Sequence, residues 1–412
     1  MKRIFRNRLP RFVTLAVLAL FLFPSVVLSS DKSLTLDSST QIIWGDDYLG
    51  NSQNILAQYL RLSFDPTGKN YEIAGYGRLW KNFTEEGVRS DDGLGRLYYL
   101  YLDYIPFEST LVRAGRHYVN FSAGSSIMDG VSVDINNLGP LGISLSGGND
   151  VKLSLDSEYS SEELFFLGAD LHLVDMRPLE LGMSYVRKYD DWDVAREHFG
   201  LNISYIYRYA SPYAELKYDN LSEVIDEATV GIDLFPVRNL TVKGELYHSY
   251  ATFESTSIFS VFAVDQYREY LIFSEYSFSA PVTLFASHTW QLYGDDEDAN
   301  VLSFGSRLFP TDRSILNLSI DKRTGYGGDM WGFEATGNYH TWHKIDLSLG
   351  AQYDAYKRPD FSDDDFDSAQ RYWVGGEWFA RNDIYVSFRI EDNINENFNH
   401  RPLTRVALNW IL

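Results

Sequence analysis

The fifteen residues FGLNISYIYRYASPY (199–213) carry the reading of this chain in miniature. Phe199, Leu201, Ile203, Tyr205 and Tyr207 fall on one face, opposite Asn202 and Ser204, and a Pro-containing turn follows at once. A period of two is the signature of a strand with one apolar and one polar side. The same alternation recurs outward in both directions. Leu60, Leu62 and Phe64 oppose Tyr59, Arg61 and Ser63. Leu179, Leu181, Met183 and Tyr185 oppose Glu180, Gly182 and Ser184. Leu240, Val242 and Leu246 oppose Thr241, Lys243 and Glu245. Runs of roughly 9–12 residues suit a tilted strand crossing a hydrocarbon layer.

Ten short connections punctuate these runs: FDPTGKN (64–70), YIPFEST (104–110), NNLGPLG (136–142), VDMRPLE (174–180), YRYASPY (207–213), FPVRNL (235–240), SFSAPV (277–282), FPTDRS (309–314), YHTWHK (339–344) and FARNDI (379–384). Between them lie longer, often acidic stretches, such as 80–95, 149–163, 293–300 and 353–370. Tight turns on one rim and elaborate loops on the other are the asymmetry of outer-membrane barrels. Ten turns join twenty strands; one more near Ser33–Trp44 and a last at Pro402–Leu412 make about 22. The fold expected is therefore all-β, a single antiparallel transmembrane barrel of 20–22 strands with both termini periplasmic. The closing alternation of Thr404, Val406, Leu408, Trp410 and Leu412 is the kind of final strand that barrel-assembly machinery recognises.

The N-terminus and composition agree with export. Lys2, Arg3, Arg6, Arg8 and Arg11 precede the apolar run FVTLAVLALFLFPSVVL (12–28) and the small residues Ser29 and Ser30. This reads as a signal peptide over residues 1–30 ahead of a barrel over 31–412. Removing the five basic residues of that segment leaves 31 Lys and Arg against 57 Asp and Glu, a formal charge of −26. So acidic a chain is no nucleic-acid binder, whose footprint is basic. The absence of cysteine excludes a lipoprotein anchor, Cys-ligated zinc and covalently attached haem on this chain. The 29 Tyr, 26 Phe and 9 Trp suit aromatic girdles at two membrane interfaces.

In RLYYLYLDYIPFESTLVRAGRHYVNFSAGSSIMDGVSVD (96–134), a Gly115–Arg116 pair is followed after a loop by Asp129–Gly130–Val131. This segment, about a tenth of the chain, resembles a broad set of bacterial outer-membrane porin-like channels. The resemblance implies a channel-forming barrel and names no solute.

Chemistry-bearing motifs are few. HExxH, a P-loop, G-x-S-x-G and a dinucleotide fingerprint are all missing, and no enzyme is expected. His117 and His198 are expected as solvated residues near an outer rim, and His340 and His343 as girdle residues flanking Trp342. The acidic runs at Asp295–Asp298 and Asp363–Asp367 lack the spacing of an EF-hand loop, so solvated loops are expected and no metal site. Charges inside strands are more telling. Arg61, Arg78, Arg113, Lys243, Glu245, Glu269, Glu377 and Arg389 should face the lumen, because a midplane Arg or Lys on the lipid face costs about 2–4 kcal/mol. Arg113 is expected deeper in the lumen, and Arg116, on the opposite face, nearer the outer rim.

A lumen of some 22 strands needs filling. One candidate is an inward-folded constriction loop within 249–267, carrying Phe253, Ile258, Phe259, Val261 and Phe262. The other is a second protein. The first expectation is thus a porin-like channel for ions or small solutes in contact with lipid and lipopolysaccharide. The alternative is a barrel sheath around a periplasmic multihaem cytochrome, with haem on the partner and no cofactor on this chain.

Overall fold

The computed structural model describes residues 34–411 except 48, 67, 85–93, 154–157, 253–264, 280, 295–296, 342–343 and 358–366. The residues expected as a signal peptide and those of the expected constriction loop, Phe253, Ile258, Phe259, Val261 and Phe262, lie outside the described residues.

Twenty-two strands follow one another along the chain: β1 (Leu34–Asp46), β2 (Ser52–Phe64), β3 (Tyr71–Asn82), β4 (Leu94–Phe107), β5 (Thr110–Phe121), β6 (Gly124–Leu138), β7 (Leu141–Leu153) and β8 (Glu158–Leu173). Then come β9 (Leu179–Asp190), β10 (Asp193–Tyr205), β11 (Ala210–Asp219), β12 (Val224–Val237), β13 (Leu240–Ser249), β14 (Tyr267–Ser279) and β15 (Val282–Tyr293). The last are β16 (Glu297–Thr311), β17 (Ser314–Gly325), β18 (Asp329–His340), β19 (Ile345–Lys357), β20 (Asp367–Phe379), β21 (Ile384–Asn395) and β22 (Phe398–Ile411). Each pairs antiparallel with its sequence neighbours. The ring closes between β1 and β22, in register from Asp37↔Ile411 to Gly45↔Leu403. Closure removes both sheet edges, so the strands hydrogen-bond within the ring and need no water to do so.

Register and pleat divide the wall into two faces. Leu145, Phe199, Leu201, Ile203, Ile272, Phe304 and Leu349 stand exposed on the outer one. Their sequence neighbours Ser144, Ser146, Asn202 and Ser204 point inward beside other polar residues. An apolar exterior with a polar interior is the inverse of a soluble barrel and fits a hydrocarbon surround.

All ten short turns fall where the sequence places them. The far rim differs in detail. The acidic segment 149–163 is largely strand, with only 154–157 between β7 and β8, and 294–296 alone separates β15 from β16. The hairpins β9–β10 and β21–β22 turn at that rim in two residues each, and β5–β6 also turns in two. Within 149–163 and 293–300, Asp150, Glu158, Glu162, Glu163, Glu297 and Asp298 belong to strands.

Candidate functional site: an inward hairpin that narrows the lumen

One hairpin does not stay in the wall. The β4–β5 ladder runs from Phe107↔Thr110 and ends at Leu100↔Arg116, and the β6–β7 ladder ends at Met128↔Asp150. Above those points β5 and β6 pair only with each other, up to Phe121↔Gly124 and the two-residue turn Ser122–Ala123. The tip folds into the lumen and lies on the inner faces of the nearby strands β8, β9 and β10. There the Ala123 amide donates to Ser184 Oγ at 2.7 Å, and the Ser122 hydroxyl donates to Asn202 Oδ1 at 2.8 Å.

Glycines make both the bend and the landing. Gly115 has φ of +120°, a region open to glycine, and a Cβ there would sit 2.4 Å from the Leu100 carbonyl oxygen. Its partner across the hairpin is Gly130, where a Cβ would lie 2.6 Å from the Cα of Gly148. At the landing, a Cβ on Gly200 would meet the Ala123 nitrogen at 2.2 Å, so the tip rests on bare backbone.

Apolar packing then holds it. Val119, Ala123 and Met128 from the hairpin close on Phe166 of β8 and Val186 of β9, all buried, with Phe121 alongside. Burying a Phe, Met or Val side chain contributes about 1.5–3 kcal/mol each, so this small core can hold a two-stranded tip against thermal motion. A hydrophobic cluster inside a polar lumen is its only described one.

Polar groups surround the hairpin's root. Arg113 grips Asp103 with two bonds of 2.7 Å, and its guanidinium lies 4.2 Å from the ring centroid of Tyr101. His117 Nδ1 is 2.9 Å from the Gly115 carbonyl, which can only accept, so Nδ1 carries the hydrogen. Its Nε2 therefore accepts from the Ser132 hydroxyl at 2.6 Å, and Ser132 in turn accepts from Ser146 at 2.8 Å. Ser126 and Lys188 both reach Asp150, the lysine at 3.2 Å. Higher up, Lys217 Nζ bonds Asp226 at 2.6 Å, Thr252 donates to the same carboxylate at 2.9 Å, and His198 Nε2 stands 3.7 Å from Asp219.

Both histidines correct the sequence reading. His117 and His198 are 1 % exposed and walled in by the hairpin and its seat, not solvated at a rim. Nor does the Ser132–His117 contact make a nucleophile, because the imidazole's second nitrogen meets a backbone carbonyl where an orienting carboxylate would be needed. His340 pairs with Asp346, while Trp342 and His343 lie outside the described residues. No cluster of three or more potential metal ligands occurs among the described residues.

The register also locates the eight strand charges. Running pair by pair from Asn202 and Ser184, it puts Lys243, Glu245, Glu269, Glu377, Arg389, Arg61, Arg78 and Arg113 on the inner row. They are spread around the ring. Lys243 bonds Glu245 at 2.8 Å, and Glu269 accepts from Gln291 at 3.1 Å. Arg389 bonds Glu391 at 2.9 Å beneath Trp373, and with Glu377 lines a cavity of about 1030 Å³ by the short-turn rim. Arg61 and Arg78 lie over Tyr76 and Trp80, at 5.4 and 5.9 Å from the ring centroids. Arg113 alone belongs to the hairpin's root. Arg116 takes the outer face, in a bidentate pair with Asp129 at 2.7 Å.

Alternation alone did not reveal the inward hairpin. A usable signal was present, however. Three consecutive wall strands carry small or apolar residues on the lumen side, Phe166 and Gly168, Ser184 and Val186, and Gly200, where a water-facing wall would be polar.

These features define a closed membrane-type β-barrel whose lumen is partly occupied by its own hairpin. No family model matches the chain, and no curated protein matches it. Solved structures of similar shape do. The P pilus usher PapC translocation pore shares 10 % identity over 92 % of this chain and 99 % of that one, with a TM-score of 0.54. The outer membrane protein OpdK of Pseudomonas aeruginosa shares 10 % over 92 % and 98 %, TM-score 0.44. OccAB4 of Acinetobacter baumannii shares 10 % over 93 % and 100 %, TM-score 0.46. At such identity the likeness to the usher pore is one of fold alone.

Proposed function

We propose that this protein is an outer-membrane channel through which ions and small polar solutes diffuse, and that the β5–β6 hairpin sets its width. The observation that carries the reading is the docked hairpin. It narrows the lumen from one side by side-chain contacts, while Arg389, Glu377 and their neighbours line free volume on the other. Roughly 16–18 strands already enclose an aqueous passage, so a 22-strand ring with one inward hairpin keeps room for solute. Its partners in this reading are lipid, lipopolysaccharide and the assembly machinery that inserts barrels, with both termini on the periplasmic side. It needs no cofactor. A multihaem cytochrome would have to share the lumen with the hairpin, which disfavours the sheath.

The acidic balance gives the channel a cation preference, because loop and rim charge biases the field at the mouth. Purified protein in a planar bilayer should show discrete conductance steps and a reversal potential on the cation side under a salt gradient. Absence of conductance, or a stoichiometric haem absorption band in protein taken gently from native membrane, would overturn the channel reading.

A further inference from the structure

Whatever passes the level of the docked tip does so beside strands that do not carry it, and β11 is the first of these beyond β10. Two cavities flank the tip. The one toward the loop rim, about 280 Å³, lies among Lys188, Arg196, His198 and Lys217. The one toward the short turns, about 540 Å³, lies among Arg113, Asp134, Asp170 and His172. Four residues line both: Asn120, Phe121 and Ser122 of the hairpin, and Glu215 of β11. Of the four, only Glu215 carries a charge. Register places it directly across from Asn202, the residue on which Ser122 lands, with Thr229 of β12 on its other side.

The charges around it are mostly engaged. Lys188 bonds Asp150 at 3.2 Å, Lys217 bonds Asp226 at 2.6 Å, and Asp170 meets His172 at 2.7 Å. Arg113 is held by Asp103, and Arg196 donates to the Thr252 carbonyl at 3.4 Å above the tip. Glu215 is exposed and has no hydrogen bond or ion pair among the described residues. Asp134 likewise has neither among them, but lines the lower cavity alone. A paired charge is largely cancelled by its partner a few ångströms away. An unpaired one between low-dielectric walls projects its field into the passage and draws a counter-ion.

We infer that Glu215 is a specificity-determining residue of the channel, the carboxylate that solutes meet at the free edge of the tip. It favours small organic cations, whose ammonium or guanidinium group pairs with it while moving from the upper cavity to the lower. The inference rests on the channel reading above, and adds to the diffuse field of the rim one carboxylate at the narrowed level.

Planar-bilayer recordings of the unsubstituted protein give the reference, and heat-dependent gel migration verifies folding of each variant. At about 0.1 M salt, where a charge acts over about 10 Å, Glu215→Gln should lower the ratio of cation to anion permeability about twofold. Glu215→Asp should retain most of the preference. Glu275→Gln, which removes an inner-row carboxylate three strands further round, should leave it unchanged. The permeability of ethylammonium relative to potassium should also fall in Glu215→Gln. In a chain without cysteine, Glu215→Cys supplies a single thiol. Attaching a cationic methanethiosulfonate there should shrink each conductance step and shift the preference toward anions. Absence of conductance in the unsubstituted protein would sink the channel and this inference with it. A conducting protein whose preference ignores position 215, or whose thiol reacts silently, would sink the inference alone. An unchanged ratio of ethylammonium to potassium would overturn the solute class.

Discussion

Two arcs of this ring solve the same problem of an inward-facing wall in different ways. From β14 to β22 the inner face is polar and meets open volume: Arg371 and Arg389 share Glu391, both guanidiniums lie 5.0 Å from the Trp373 ring, and Arg405 donates to Gln41 at 2.7 Å. From β8 to β10 the inner face carries Phe166, Val186 and Gly200 among its polar residues and meets protein, namely the tip of β5–β6. One arc is built for water and the other for packing. Charges in the water-facing arc pair loosely and stay half-exposed, where an ion pair is worth little. At the root of the docked hairpin the buried groups His117, Ser132 and Ser146 are joined in one hydrogen-bonded chain, while His198 on β10 is buried with Nε2 outside hydrogen-bond reach of any described partner. The difference makes the packed arc a seat and the open arc the path.

The comparison breaks most visibly if the seat is left empty. Replacing 117–127 by a minimal turn should raise single-channel conductance severalfold while the barrel still migrates as a folded, heat-modifiable species. An unchanged conductance would place the narrowest point elsewhere. Phe166→Ala should have a smaller effect. Truncating a buried Phe costs about 3–5 kcal/mol, here charged to docking of the hairpin and not to closure of the ring. Recordings should show flicker between the native level and a wider one, with thermal stability of the barrel nearly unaffected. Smallest of all should be Arg389→Ala in the open arc. It removes one inner-row cation, which shifts the reversal potential modestly toward cations and leaves the number of conductance levels unchanged. If Arg389→Ala produced flicker and Phe166→Ala only a selectivity shift, the roles assigned to the two arcs would be exchanged.

The ring itself was written plainly in the sequence. Alternation at 199–207, Pro- and Gly-marked turns, and a terminal strand at 402–412 each encode a local geometry that needs no knowledge of distant residues. The far rim was less legible, because acidic composition at 149–163 and 293–300 suits a solvated strand as well as a loop. The hairpin was illegible for a stronger reason. A period of two says which face a residue occupies and nothing about whether the strand leaves its neighbours. Val119 and Met128 read as ordinary strand residues until Phe166, Val186 and Gly200 are brought against them from 38 to 81 residues away along the chain. The Gly115–Arg116 and Asp129–Gly130 pairs, noticed only as a resemblance, turn out to be the bend itself. Opposed glycines let the backbone turn inward, and the Arg116–Asp129 bridge ties the two strands at that level.

The central claim is that the tip of β5–β6 is seated on β8–β10 in the conducting state. The doubly substituted protein Ser122→Cys, Asn202→Cys tests it in a chain with no other thiol. On mild oxidation in the membrane the two positions should join intramolecularly, visible as a reducible shift in gel mobility, and single-channel conductance should stay at the native level before and after reduction. Failure of the thiols to join in folded protein, or a sharp fall in conductance when they do, would show that the open channel carries its hairpin somewhere else.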